Sequence, residues 1–136
     1  MLNLKFLKRL ILLSLFAMLI QILIGLEVRE FIDLKIDFYG LEKKNLWLAN
    51  PDTSFYIHRS FSIFIFVSNI TLFLIAKRVK IDLIWIKIIL LLILTEIIAG
   101  ASMYYFSFPI LTQPLHLLIA ILIFGFQFYW YLIIED

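Results

Sequence analysis

An all-α membrane protein is the fold class this sequence predicts: a four-transmembrane-helix bundle made of two similar helix pairs. Three observations predict it. First, 64% of the 136 residues are hydrophobic and 16% are charged, where a soluble domain has about 45–50% and about 25%. Mean hydropathy is +1.05, so the chain carries more apolar surface than its own core can hide, and the surplus faces a lipid bilayer. Second, four stretches reach the roughly 20 apolar residues that a helix needs to cross it. Third, a polar-x-x-x-Gly pattern followed by an apolar-His pair occurs twice in the same order. Helices satisfy every backbone polar group inside hydrocarbon, and the period-two alternation of a barrel is missing.

The first span covers about residues 10–28. Lys5, Lys8 and Arg9 precede it, as in a secretory leader, but no small-residue cleavage site follows, so it is read as a retained helix. An outer loop over residues 29–55 mixes apolar and charged residues. Within it Phe31, Ile32, Leu34 and Ile36 alternate with charges, as in a short amphipathic helix lying on the membrane surface. Asn50-Pro51-Asp52 reads as a turn into the second span, 56–76. The third span is 83–106. Pro114 opens the fourth, 114–134, where its missing N–H costs nothing. The whole chain, 1–136, is one domain. Basic residues are dense at the N-terminus and in the link holding Lys77, Arg78 and Lys80, while the long loop dilutes its own with acids. This asymmetry predicts cytoplasmic termini.

The composition also excludes function classes. Net charge is +2, too little to predict a nucleic-acid partner. With no Cys, there is no disulfide, thiolate metal site, iron–sulfur cluster or covalent heme attachment. Metal chemistry rests on the two histidines, His58 and His116, alone.

Both histidines stand near the outer ends of their spans, the second and the fourth. These two spans run parallel, so the two imidazoles share one depth. An ionisable side chain inside a span marks a functional site by default, and two imidazoles at one depth suit an iron held from both faces of a porphyrin. The bland alternative is a pair of interfacial side chains. Arg59 follows His58 and offers a bidentate partner for a propionate; Arg29, at the end of the first span, is a second candidate. Glu96 lies inside the third span, where a carboxylate costs about 2.5–3.5 kcal/mol; it is expected to be protonated, paired with Arg59 or hydrogen-bonded near the cofactor. Its repeat-mate is Gln21, which favours a hydrogen bond across the bundle. Gln113 is a pocket candidate, and Tyr104 and Tyr105 read as interfacial belt. The small residues Gly25, Gly100, Ala120 and Gly125 read as helix packing.

The runs GLEVREFID, YIHRSFS, TEIIAG and TQPLHLLIA, which start at Gly25, Tyr56, Thr95 and Thr112, resemble heme A synthase, and more closely one four-helix half of it. The resemblance implies His58 and His116 as axial ligands of one heme. It also implies a place in converting heme O to heme A for cytochrome oxidase, and a multi-pass protein of a bacterial cytoplasmic membrane. The family's substrate-holding half has a Glu three residues before its first His, where this chain has Phe55. The resemblance is therefore to the half that keeps a heme b cofactor, working with a second half or as a homodimer. No residue is assigned a catalytic role, and catalysis by this chain alone is not expected. A stand-alone b-type electron carrier and a cofactor-free assembly protein are the competing readings.

Overall fold

The computed structural model describes residues 3–134. Five helices follow one another: α1 (Leu4–Tyr39), α2 (Lys44–Trp47), α3 (Thr53–Arg78), α4 (Ile84–Tyr105) and α5 (Thr112–Ile133). All but α2 are long and apolar enough to cross a membrane, as predicted, and among the described residues there is no strand. The four long helices are those of an integral membrane protein.

α1 departs from the expectation. It has 36 residues, about 54 Å of helix against about 30 Å of hydrocarbon, and it runs on through residues 29–39 of the expected 29–55 loop. The stretch expected to be a separate surface helix is the continuation of the first span, and the rest of the loop holds the short α2 between turns. Arg29 and Asp33 pair one turn apart at 2.6 Å, and Lys35 lies over the rings of both Phe31 and Tyr39. Such i,i+4 contacts hold an exposed helix together. It ends at Gly40, whose φ of 83° is open to glycine and strained for other residues. Of the four apolar residues expected to face a surface, Ile32 is buried and Leu34 is exposed.

α3 starts where Asp52 accepts a hydrogen bond from the Phe55 N–H at 3.1 Å, closing the predicted turn with an N-cap. α1 packs along α3, and α4 along α5, while α1–α5 and α3–α4 contacts join the two pairs. Among the described residues the backbones of α1 and α4 do not approach, nor do those of α3 and α5. Each of these couples therefore faces across a diagonal of the bundle. Lys8 lies over the Tyr131 ring, which brings the beginning of α1 and the end of α5 to one end.

The repeat is three-dimensional. Moving 75 residues takes Ile11 to Ile86 and Met18 to Ile93; moving 58 takes Ile65 to Ile123, Leu72 to Trp130 and Ala76 to Ile134. All ten are buried in one core. The two helix pairs thus present the same faces inward, and one polar layer crosses this apolar core. There Gln127 donates to Asn69 Oδ1 and to Ser14 Oγ, both at 3.0 Å, and Asn69 donates to Ser14 Oγ at 3.2 Å. Asn69 and Gln127 are themselves repeat-mates, and with Ser14 they tie three helices at one level. Replacing Gln127 with Leu leaves Asn69 without a donor and is expected to cost about 1 kcal/mol, read as a lower unfolding midpoint in detergent.

A candidate heme site between two histidines

His58 lies six positions into α3 and His116 five into α5, on diagonally opposed helices. Their ring centres are 6.3 Å apart with planes inclined at 70°. Each ring rests on a glycine of its own pair. A Cβ placed on Gly25 would stand 3.0 Å from His58 Cε1, and one on Gly100 would stand 3.3 Å from His116 Cε1. The two glycines are repeat-mates, so one seat is built twice. Sequence alone reads them as packing residues. The signal that finds them is their spacing: Gly25 lies four residues after Gln21 and Gly100 four after Glu96, on the same helix face.

Those two polar residues complete the arrangement. Gln21 Nε2 donates to the His58 carbonyl at 3.1 Å and stands 3.5 Å from the ring Nε2. Glu96 Oε1 approaches His116 Nδ1 at 3.1 Å, close enough for charge interaction but at an angle that leaves Nδ1 with no hydrogen bond. The partner of Glu96 is thus His116 and not Arg59.

Gln21 Oε1, His58 Nδ1, Glu96 Oε2, Gln113 Nε2 and His116 Nδ1 are all buried with no hydrogen-bond partner. Buried polar atoms are nearly always paired, and orphans are costly. Four of them, on Gln21, His58, Glu96 and His116, gather in one layer of the bundle. Gln113 stands one turn before His116 on α5. Arg29 and Arg59 are not part of the layer. Arg29 is engaged by Asp33, and Arg59 is exposed on α3, turned away from the ring that precedes it.

One turn towards the α2 end, an apolar cap covers the layer. Val28, Ile32, Trp47 and Phe108 form its buried centre, with Phe55 and Met103 packed against it. Trp47 lies 5.2 Å from the Phe108 ring and donates to the Gly40 carbonyl at 3.3 Å. Phe55 stacks on Tyr104 at 5.5 Å, so the position where the resembling family's other half has Glu is here an apolar contact. Tyr104 thereby joins the cap as well as the expected belt. Two surface grooves, of about 460 Å³ beside Glu27, Glu30 and Asp52 and about 420 Å³ beside Tyr56 and Phe64, are both lined by Ile57 and by neither histidine.

Among the described residues no group of three or more His, Cys, Asp or Glu side chains is placed to hold a bare metal ion. Two imidazoles are too few for a closed site. They suit a metal that brings the rest of its ligands with it, as heme iron does. Two imidazoles sharing a metal at bonds of about 2 Å have ring centres roughly 6 Å apart, which matches the spacing here. The donor set, the orphaned atoms and the two glycine seats therefore fit a bis-imidazole heme.

No curated protein and no solved structure matches the chain. One family model does, over residues 3–128. The description of that family is cytochrome oxidase assembly protein, and its span takes in both histidines, both glycines, Gln21, Glu96 and Gln113. The chain belongs to the COX15-CtaA family of cytochrome oxidase assembly proteins, the heme A synthase family.

Proposed function

We propose that this protein holds one b-type heme between His58 and His116 and serves electron transfer as a heme-binding half of a heme A synthase-like membrane oxidoreductase. Family membership implies heme A biosynthesis and cytochrome oxidase assembly. The observation that carries the finer reading is a pair of imidazoles on opposed helices whose Nδ1 atoms are buried without partners, beside the equally unpartnered Gln21 Oε1 and Glu96 Oε2. A bound heme supplies a one-electron iron couple. The chain supplies everything around it. His58 and His116 would hold the iron, one imidazole donor from each of two opposed helices. Gly25 and Gly100 seat the rings, the cap of Trp47, Phe55 and Phe108 excludes water, and Gln113 offers a buried amide N–H to an acceptor on the ligand. Phe55 supplies no acid, which favours keeping a cofactor over oxidising one. A second half, or a second copy of this chain, completes the enzyme.

The protein purified from heme-replete cells is expected to show the sharp reduced bands of low-spin bis-imidazole iron at one heme per chain. Pigment extracted from it should be heme B alone. Heme O or heme A in the extract would move the chain to the substrate-holding role. Colourless protein would overturn the heme reading.

A further inference from the structure

We propose that the end of the bundle opposite the histidines is a binding surface for anionic phospholipid headgroups, formed by Lys5, Arg9, Lys77, Arg78, Lys80 and Lys87. The inference is independent of the heme reading above.

The fold gathers these residues at one end. Lys8 over the Tyr131 ring joins the start of α1 to the end of α5. Trp85 meets the Tyr129 ring edge-on at 4.7 Å, which brings the start of α4 there as well. α3 finishes at Arg78, and a short link over residues 79–83 leads into α4. Lys5 and Arg9 stand in the first two turns of α1, Lys77 and Arg78 close α3, Lys80 is in the link and Lys87 is the fourth residue of α4. All six are exposed.

Their charge is uncompensated within the chain. Among the described residues none of the six is in an ion pair. The one acid described at this end, Asp82, accepts a hydrogen bond from the Ile84 N–H at 3.0 Å. The sequence adds Glu135 and Asp136 outside the described residues, still fewer acids than cations. The histidine end is built differently: Arg29 pairs with Asp33, Lys35 lies over two rings and Lys44 donates to the Phe108 carbonyl at 3.4 Å. Cations crowded without counter-charge repel one another, and an anion from outside relieves that repulsion. Their level says which anion. Trp85, Tyr129 and Tyr131 are of the residue types that settle among bilayer headgroups. Lys87 is exposed on a membrane-spanning helix, where a lysine carries its ammonium out to the same level. Headgroups with a net negative charge therefore surround the cluster, and each Lys or Arg near such a surface adds to the attraction.

The test is the association of spin-labelled phosphatidylglycerol, compared with spin-labelled phosphatidylcholine, with the purified full chain in phosphatidylcholine bilayers. The charge bias that orients a chain acts during insertion, so protein already inserted reports binding alone. Wild type is expected to favour phosphatidylglycerol at least about fivefold, the equivalent of one charge. The preference should fall as salt rises from about 0.1 M to about 1 M and the Debye length shrinks from about 10 Å to about 3 Å. The combined change Lys77→Gln, Arg78→Gln and Lys80→Gln should bring the two lipids to parity. Lys87→Gln should lower the preference, and Lys43→Gln at the histidine end should leave it unchanged. Equal association of both lipids with wild type overturns the proposal. So does a preference that survives the combined change, or one that Lys43→Gln lowers as much as Lys87→Gln. Inorganic phosphate that displaces the labelled lipid, where chloride at the same ionic strength does not, marks a soluble-anion site and overturns the lipid assignment. If the combined variant fails to insert, Lys87→Gln against Lys43→Gln decides: a drop confined to Lys87→Gln supports the surface, and equal values overturn it.

Discussion

Replacing His58 with Gly strips the protein of its low-spin absorption, replacing His116 with Gly does the same, and added imidazole returns the spectrum in each case. The argument starts from what each substitution removes. Outer partners of a metal ligand already change metal affinity about 10–100-fold, so deleting a ligand lowers heme content at least as far. Glycine leaves a ring-shaped space and introduces no new donor or charge. Each space lies beside a second glycine, Gly25 or Gly100, so free imidazole has a seat to enter. The fold is not at stake. Neither histidine belongs to the buried apolar core that runs from Leu7 to Ile134, and helix content by circular dichroism should be unchanged. Rescue by imidazole distinguishes ligation from structural damage. Heme that survives both single changes overturns the assignment. Heme that needs only one of the two histidines leaves a five-coordinate iron and overturns the paired geometry.

Much of this site is legible in the amino-acid sequence because two unusual constraints act on it. Hydrocarbon tolerates few polar residues, so His58, His116, Glu96 and Gln21 stand out against an Ile- and Leu-rich background. The repeat fixes their relative depth, and the structure brings all four to one layer. What sequence leaves dark is rotation about the helix axis. Arg59 is adjacent to His58 in the chain, yet one residue is about 100° of turn, and it faces outward. Arg29 is close to Gly25 in number, but Asp33 one turn on competes for it successfully. For Glu96 the sequence offers Arg59 among other partners and leaves His116 unmentioned, because charge is visible in a sequence and the position of an imidazole is not. The far end of α1 is misjudged for a different reason. Its apolar periodicity fades after Val28, but local i,i+4 contacts and the lack of Gly or Pro between Val28 and Gly40 carry the helix on for three further turns. The layer of Ser14, Asn69 and Gln127 escapes a reading that looks for ionisable groups, since none of the three titrates.

Glycine gives the second large effect, and it separates seating from packing. Gly25→Ala is expected to keep the fold and lose most of the heme, Gly100→Ala to lose less, and Gly125→Ala to lose none. A Cβ on Gly25 falls 3.0 Å from His58 Cε1 and one on Gly100 falls 3.3 Å from His116 Cε1, so each ring has to give by a few tenths of an ångström, and by more at Gly25. In both cases the displaced atom is the far edge of a side chain, which rotates away at little cost to the helix. Alanine also favours helix over glycine by roughly 0.8–1.0 kcal/mol. Helical stability is therefore maintained while the imidazole leaves the place from which it can ligate. Gly125 lies in α5 with nothing within 4 Å of its added Cβ, so it reports the propensity gain by itself. The measurement is heme per chain beside the unfolding midpoint for the three variants. Were the glycines only points of helix contact, Gly25→Ala and Gly100→Ala would lower stability with heme content following it. The seat predicts the opposite pattern, with occupancy falling in the order of the two distances while the midpoint holds.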